Sequence, residues 1–118
     1  MGTTNSGEAV AFTSVYDFCG GDQEMYFEIL EEIKLSVENL VTLIDQGGHD
    51  LEAIRFTRHK MKSTFRILKD DDFKQLLDDF TKGVEDSNST VVAAKKAELL
   101  KVSQDYLLSL TTEITRLS

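Results

Sequence analysis

The 118-residue chain carries 21 acidic against 13 basic side chains, a formal charge of −8, with 41% hydrophobic and 29% charged residues and neither proline nor tryptophan. That length holds one domain around one core, and the negative balance argues against nucleic acid, whose phosphate backbone rewards positive surfaces. One cysteine, Cys19, excludes an intramolecular disulfide and fits a reducing cytoplasm, while no apolar run approaches the ~18 residues of a membrane span.

Residues 1–9 are small and polar and are expected to form a disordered leader, with the domain occupying 10–118. Met1-Gly2-Thr3-Thr4-Asn5-Ser6 fits the N-myristoylation pattern, but so short a run of small residues is more simply a flexible leader. It also lacks the basic-then-apolar order of a signal peptide. From 9 to 18, the residues Val10, Phe12, Val15, Tyr16 and Phe18 predict a short helix across the end of a bundle, closed by Gly20-Gly21. Asp22 is then the expected N-cap of a helix over 23–45, with Glu24 in its first turn. Along it Tyr26, Leu30, Ile33, Val37, Leu40 and Ile44 recur at alternating spacings of four and three, the seam of a helix packed nearly antiparallel to its neighbours.

Gly47 is expected to end that helix in the left-handed region and Asp50 to cap the next, a connection short enough to force the two side by side. One continuous helix is predicted over 51–68, with Leu51, Ile54, Met61, Phe65 and Leu68 as its buried stripe. Asp70-Asp71-Asp72 starts a third long helix with Phe73, Leu76, Leu77 and Phe80 on one face and Gly83 as its expected end. The polar turn Ser87-Asn88-Ser89-Thr90 opens a last helix over 91–116, whose stripe is Leu99, Val102, Tyr106, Leu110, Ile114 and Leu117. Four long segments, each apolar on one side only, predict an all-α fold: an antiparallel up-down four-helix bundle with a short additional N-terminal helix.

One stretch reverses the charge of the chain. Residues 55–69 hold Arg55, Arg58, Lys60, Lys62, Arg66 and Lys69 and no acid, so the local expectation is an anionic partner. At about 100° per residue, His59 lies roughly 160° round from Met61 and faces outward, with Lys62 and Ser63 one turn further along the same face. An exposed imidazole is substantially neutral at physiological pH and can act as a nucleophile. Phosphoryl transfer asks for such a group, together with positioning and nearby positive charge. Taken alone, a surface histidine is ordinary. Phe56 and Ile67 sit roughly 140° and 120° from Met61, on the side away from Lys62; they are either buried against the first long helix or an apolar docking patch beside His59. No metal site is expected, because His49 and His59 are ten apart and Cys19 is remote. The absence of a glycine-rich phosphate loop argues against ATP binding and self-phosphorylation.

The run His59-Lys60-Met61-Lys62-Ser63 resembles the signature of histidine-containing phosphotransfer domains, in which a helical histidine is followed three residues later by lysine and four later by glycine. From about Val15 onward, the order and lengths of the segments resemble that family as well. Ser63 stands where the family usually has its first glycine, which lets a partner approach closely, and Lys69 where it often has a second. The resemblance implies a carrier in a two-component phosphorelay. His59 would accept a phosphoryl group from a receiver-domain aspartate and pass it on, and Lys62 would stabilise it. Arg55, Phe56, Lys60, Ser63, Arg66 and Ile67 would dock the receiver domain of a response regulator or hybrid histidine kinase. It further implies no cofactor on this chain, magnesium on the partner receiver, a monomer and a cytoplasmic setting. Two other classes stay open: a helical-bundle binding module that does not transfer, and a dimerising kinase adaptor domain.

Overall fold

The computed structural model describes residues 10–46 and 50–118, which form α1 (Thr13–Phe18), α2 (Gln23–Asp45), α3 (Leu51–Lys60), α4 (Lys62–Leu68), α5 (Asp71–Glu85) and α6 (Ser89–Leu117) and contain no strand. The leader at 1–9, the terminator role of Gly47 and the surroundings of His49 lie outside the described residues.

Helix α2 has the predicted bounds. Its Asp22 cap accepts from the Met25 amide, and Tyr26, Leu30, Ile33, Val37, Leu40 and Ile44 are all buried. Ahead of it, α1 is shorter than the predicted 9–18. Just before it the chain is tied to core side chains, Ala11 N–H donating to Glu113 and Phe12 N–H to the Tyr26 hydroxyl. Gly20 and Gly21, at φ 63° and 80°, make the left-handed turn into α2 that a side chain would resist.

The predicted helix over 51–68 is in fact two. Met61 (φ −84°, ψ 0°) separates them, although its own amide still donates to the Thr57 carbonyl at 3.0 Å and its carbonyl accepts from Phe65 N–H at 2.9 Å. Helix α3 lies against α5 and α2, and α4 against α1 and α5. Met61 between them is buried, with Ile54 buried before it and Thr64, Phe65 and Leu68 after it. Ser14 Oγ donates to the Leu68 carbonyl at 3.0 Å, tying α1 to the end of α4.

Gly83 does not end α5, which continues to Glu85. A Cβ there would stand 3.0 Å from Val91 Cγ1 and 3.2 Å from Val92 Cγ2, so its smallness allows α6 to start close against α5. The reversal falls instead at Ser87 (φ 52°), and Asn88 caps α6 two residues earlier than predicted. Helix α6 packs along both α2 and α5. Phe73 stacks on Tyr106 and meets Phe65 edge-on, while the Tyr106 hydroxyl donates to Asp70, whose other oxygen caps α5.

One buried charge holds the N-terminal segment in place. Glu113, 3% exposed, accepts from the Tyr26 hydroxyl at 2.6 Å, Ala11 N–H at 3.0 Å and the Arg116 guanidinium at 2.7 and 2.9 Å. The Arg116 bonds, helped by those from Tyr26 and Ala11, outweigh the cost of burial and hold its carboxyl at about 2. Burial and the bond to Glu113 push the Tyr26 phenol upward. Among the described residues no helix is long and apolar enough to cross a membrane.

Candidate functional site

The side chains singled out by charge reversal sit on either side of the Met61 boundary between α3 and α4. Arg58, His59 and Lys60 form the last turn of α3, where cations complement the negative end of the helix dipole. His59 is exposed, on the outer face that the helical wheel assigns it. Lys62 and Ser63 open α4 just past Met61 and are exposed too, as are Arg66 and Lys69. Lys69 is the left-handed C-cap of α4, at φ 55° and ψ 40°, a conformation that glycine adopts without strain.

The basic island divides into two kinds of cation. Arg55 sends Nε and Nη2 to a single oxygen of Glu85, at 3.2 and 2.5 Å, and Arg58 Nη1 lies 3.7 Å from Asp78. Both acids belong to α5, so these arginines are spent partly on holding α3 to its neighbour. Lys60, Lys62, Arg66 and Lys69 form no ion pair among the described residues. Their charge is directed at solvent or at whatever docks there.

Phe56 and Ile67, open between core and surface in the sequence, part company. Phe56 is 64% exposed and has Lys60 Nζ 5.3 Å from its ring centroid, a cation lying on an aromatic face. Ile67 is half-buried against the core. The exposed patch at the histidine is therefore chiefly one phenyl ring with a lysine across it.

Lys74, Asp78 and Glu85 are the residues near this site that sequence reasoning passed over. Their positions, four and seven apart, place them along one strip of α5, so a shared face was readable. That the strip looks toward α3 was not, because it depends on which helices are neighbours. Cys19 is buried, and burial pushes its thiol upward, away from a reactive thiolate. Among the described residues no three His, Cys, Asp or Glu side chains are grouped to hold a metal ion.

Chemically, the arrangement offers one exposed imidazole, a lysine one turn away, three further cations unpaired among the described residues and an aromatic surface. No family model matches the chain, and no curated protein or solved structure is significantly similar to it.

Proposed function

We propose that this protein is a phosphorelay carrier of the histidine-containing phosphotransfer type, with His59 as phosphoacceptor. The observation that carries the reading is the exposed His59 set among Lys60, Lys62 and Arg66, cations without ion pairs among the described residues, in a chain of net charge −8. The sequence resemblance around His59 supplies the reaction. In it, a neutral imidazole nitrogen attacks the phosphorus of a receiver's aspartyl phosphate. The N–P bond forms as the acyl-phosphate P–O bond breaks, and the electron pair leaves with the aspartate carboxylate. Lys62 lies close enough in sequence, one turn on, to share the charge of the three phosphoryl oxygens. Magnesium belongs to the receiver. Passage to a second receiver is the same step reversed.

The architecture in this reading is an antiparallel four-helix bundle whose arms are α2, the α3–α4 pair, α5 and α6, with α1 laid over one end. Supporting it are the contacts of α2 with α6, α6 with α5, α5 with α3 and α3 with α2, which close a ring. An overall envelope of 56 × 20 × 19 Å also fits two helices by two at roughly 8–10 Å separation. The left-handed Lys69 supports it too, since this is a position where the family often has glycine. Phe56, Lys60, Ser63, Arg66 and the edge of Ile67 form the docking face, and Arg55 supports it from its pair with Glu85. The carrier works as a cytoplasmic monomer.

Incubation with a phosphorylated receiver domain tests the reading. Wild type takes up acid-labile label, His59→Gln takes up none, and Lys62→Ala takes it up at least tenfold more slowly with an unchanged melting temperature. A chain that binds the receiver without gaining label is a binding module. One that runs at twice its mass in light scattering is the dimerising adaptor.

A further inference from the structure

Between the α3–α4 arm and α5 lies a cleft of about 240 Å³ lined by Arg58, Lys62, Phe65, Lys74 and Asp78, two of which flank His59 in the sequence. Three cations and one carboxylate give it a positive balance on a strongly acidic protein. The carboxylate is not a bystander. Asp78 Oδ2 is 2.9 Å from Lys74 Nζ, and its Oδ1 is 3.7 Å from Arg58 Nη1. Lys62, from the same wall, forms no ion pair among the described residues although it borders both the cleft and the His59 face.

We infer that this cleft is a carboxylate-binding subsite for the docking partner, with Asp78 as its internal competitor. The chain's own aspartate shows what the cleft accepts: a planar carboxylate between an arginine and a lysine, with Phe65 as its apolar floor. An acidic side chain from outside would find Lys62 directly and would draw Arg58 and Lys74 away from Asp78. All these groups are partly exposed, so the exchange is between weak, screened pairs and costs little. Asp78 thereby sets how tightly an acidic surface docks next to His59, and Lys74, on a different helix from the histidine, becomes a specificity-determining residue. The phosphocarrier reading is needed only to say that the acidic surface belongs to a receiver; the subsite itself stands on the cleft.

The test is an NMR titration of the whole chain at low ionic strength with a hexaglutamate peptide, and separately with inorganic phosphate. With the peptide, saturable shifts are expected at Arg58, Lys62 and Lys74. Lys74→Glu should abolish them. Asp78→Asn, which removes an acid from an acidic protein, should tighten binding about threefold. His59→Gln, which loses phosphoryl acceptance, should bind the peptide as wild type does, so a failed carrier and a failed subsite give different results. Circular dichroism confirms that each variant is folded, and Lys74→Ala stands in if Lys74→Glu is not. Shifts spread equally over Lys34, Lys82 and Lys101, weaker binding in Asp78→Asn, or saturation by phosphate in preference to the peptide would each overturn the inference.

Discussion

Two parts of this molecule use charge in opposite ways. Around Glu113 a single carboxylate is buried, and its acceptor sites are filled by Tyr26, Ala11 and Arg116. Around His59 several cations stand in water, and among the described residues only Arg55 and Arg58 of the island are paired, with acids on α5. A buried charge must be satisfied from within the chain because nothing else can reach it. An exposed charge costs almost nothing to leave waiting for a partner. The first arrangement fixes structure and the second is available for recognition, so the two regions should answer mutation differently.

The largest expected effect is at the buried end. Glu113→Ala strands the Tyr26 hydroxyl and Ala11 N–H and should cost about 3 kcal/mol, lowering the melting temperature by roughly 10 °C. Thermal or urea unfolding followed by circular dichroism measures it, and a loss near zero would erase the contrast.

Acid should produce the same loss in the wild type. The Glu113 carboxyl is held at about 2 against an ordinary 4.5, so its stabilisation is complete above about 4.5 and disappears as pH falls toward 2. Urea midpoints of wild type and Glu113→Gln should therefore lie furthest apart at neutral pH and converge between pH 4.5 and 2. A constant gap would locate the stabilisation in packing and not in the ionised form.

Smaller effects belong to the arm that carries the histidine. Lys69→Gly relieves a left-handed residue and should stabilise by about 0.5–1 kcal/mol, the relief being partly offset by the greater freedom of glycine in the unfolded chain. The effect should appear in chemical denaturation. Smallest of all, His59→Gln should change stability by less than about 0.5 kcal/mol, as expected of an exposed side chain. A cost of several times that would make His59 a structural residue and remove the basis for a carrier.

Local repetition was the most legible part of the sequence. The stripe from Tyr26 to Ile44 gave α2 its full extent, and the same wheel turned His59 outward, because helical period and side-chain direction are fixed by the backbone alone. Asp22, Asp50 and Asp70 were readable as caps for the same reason, since each acts on amides two or three residues away. Gly83 misled because a glycine near a turn reads as a terminator; its role as a contact surface exists only once α6 is beside it. Met61 is buried as the stripe required, but the break between α3 and α4 at that residue had no local signal.

The sequence by itself determined which segments are helices, where most of them start, and that a cation-rich face surrounds an outward histidine. Only the tertiary structure decided that Glu113 is buried with Tyr26, that Arg55 and Arg58 meet Glu85 and Asp78, and that the histidine's arm is divided at Met61. The first group follows from interactions spanning a turn or less. The second depends on which helices become neighbours and at what height they meet, over separations of up to 102 residues, where no local pattern reaches.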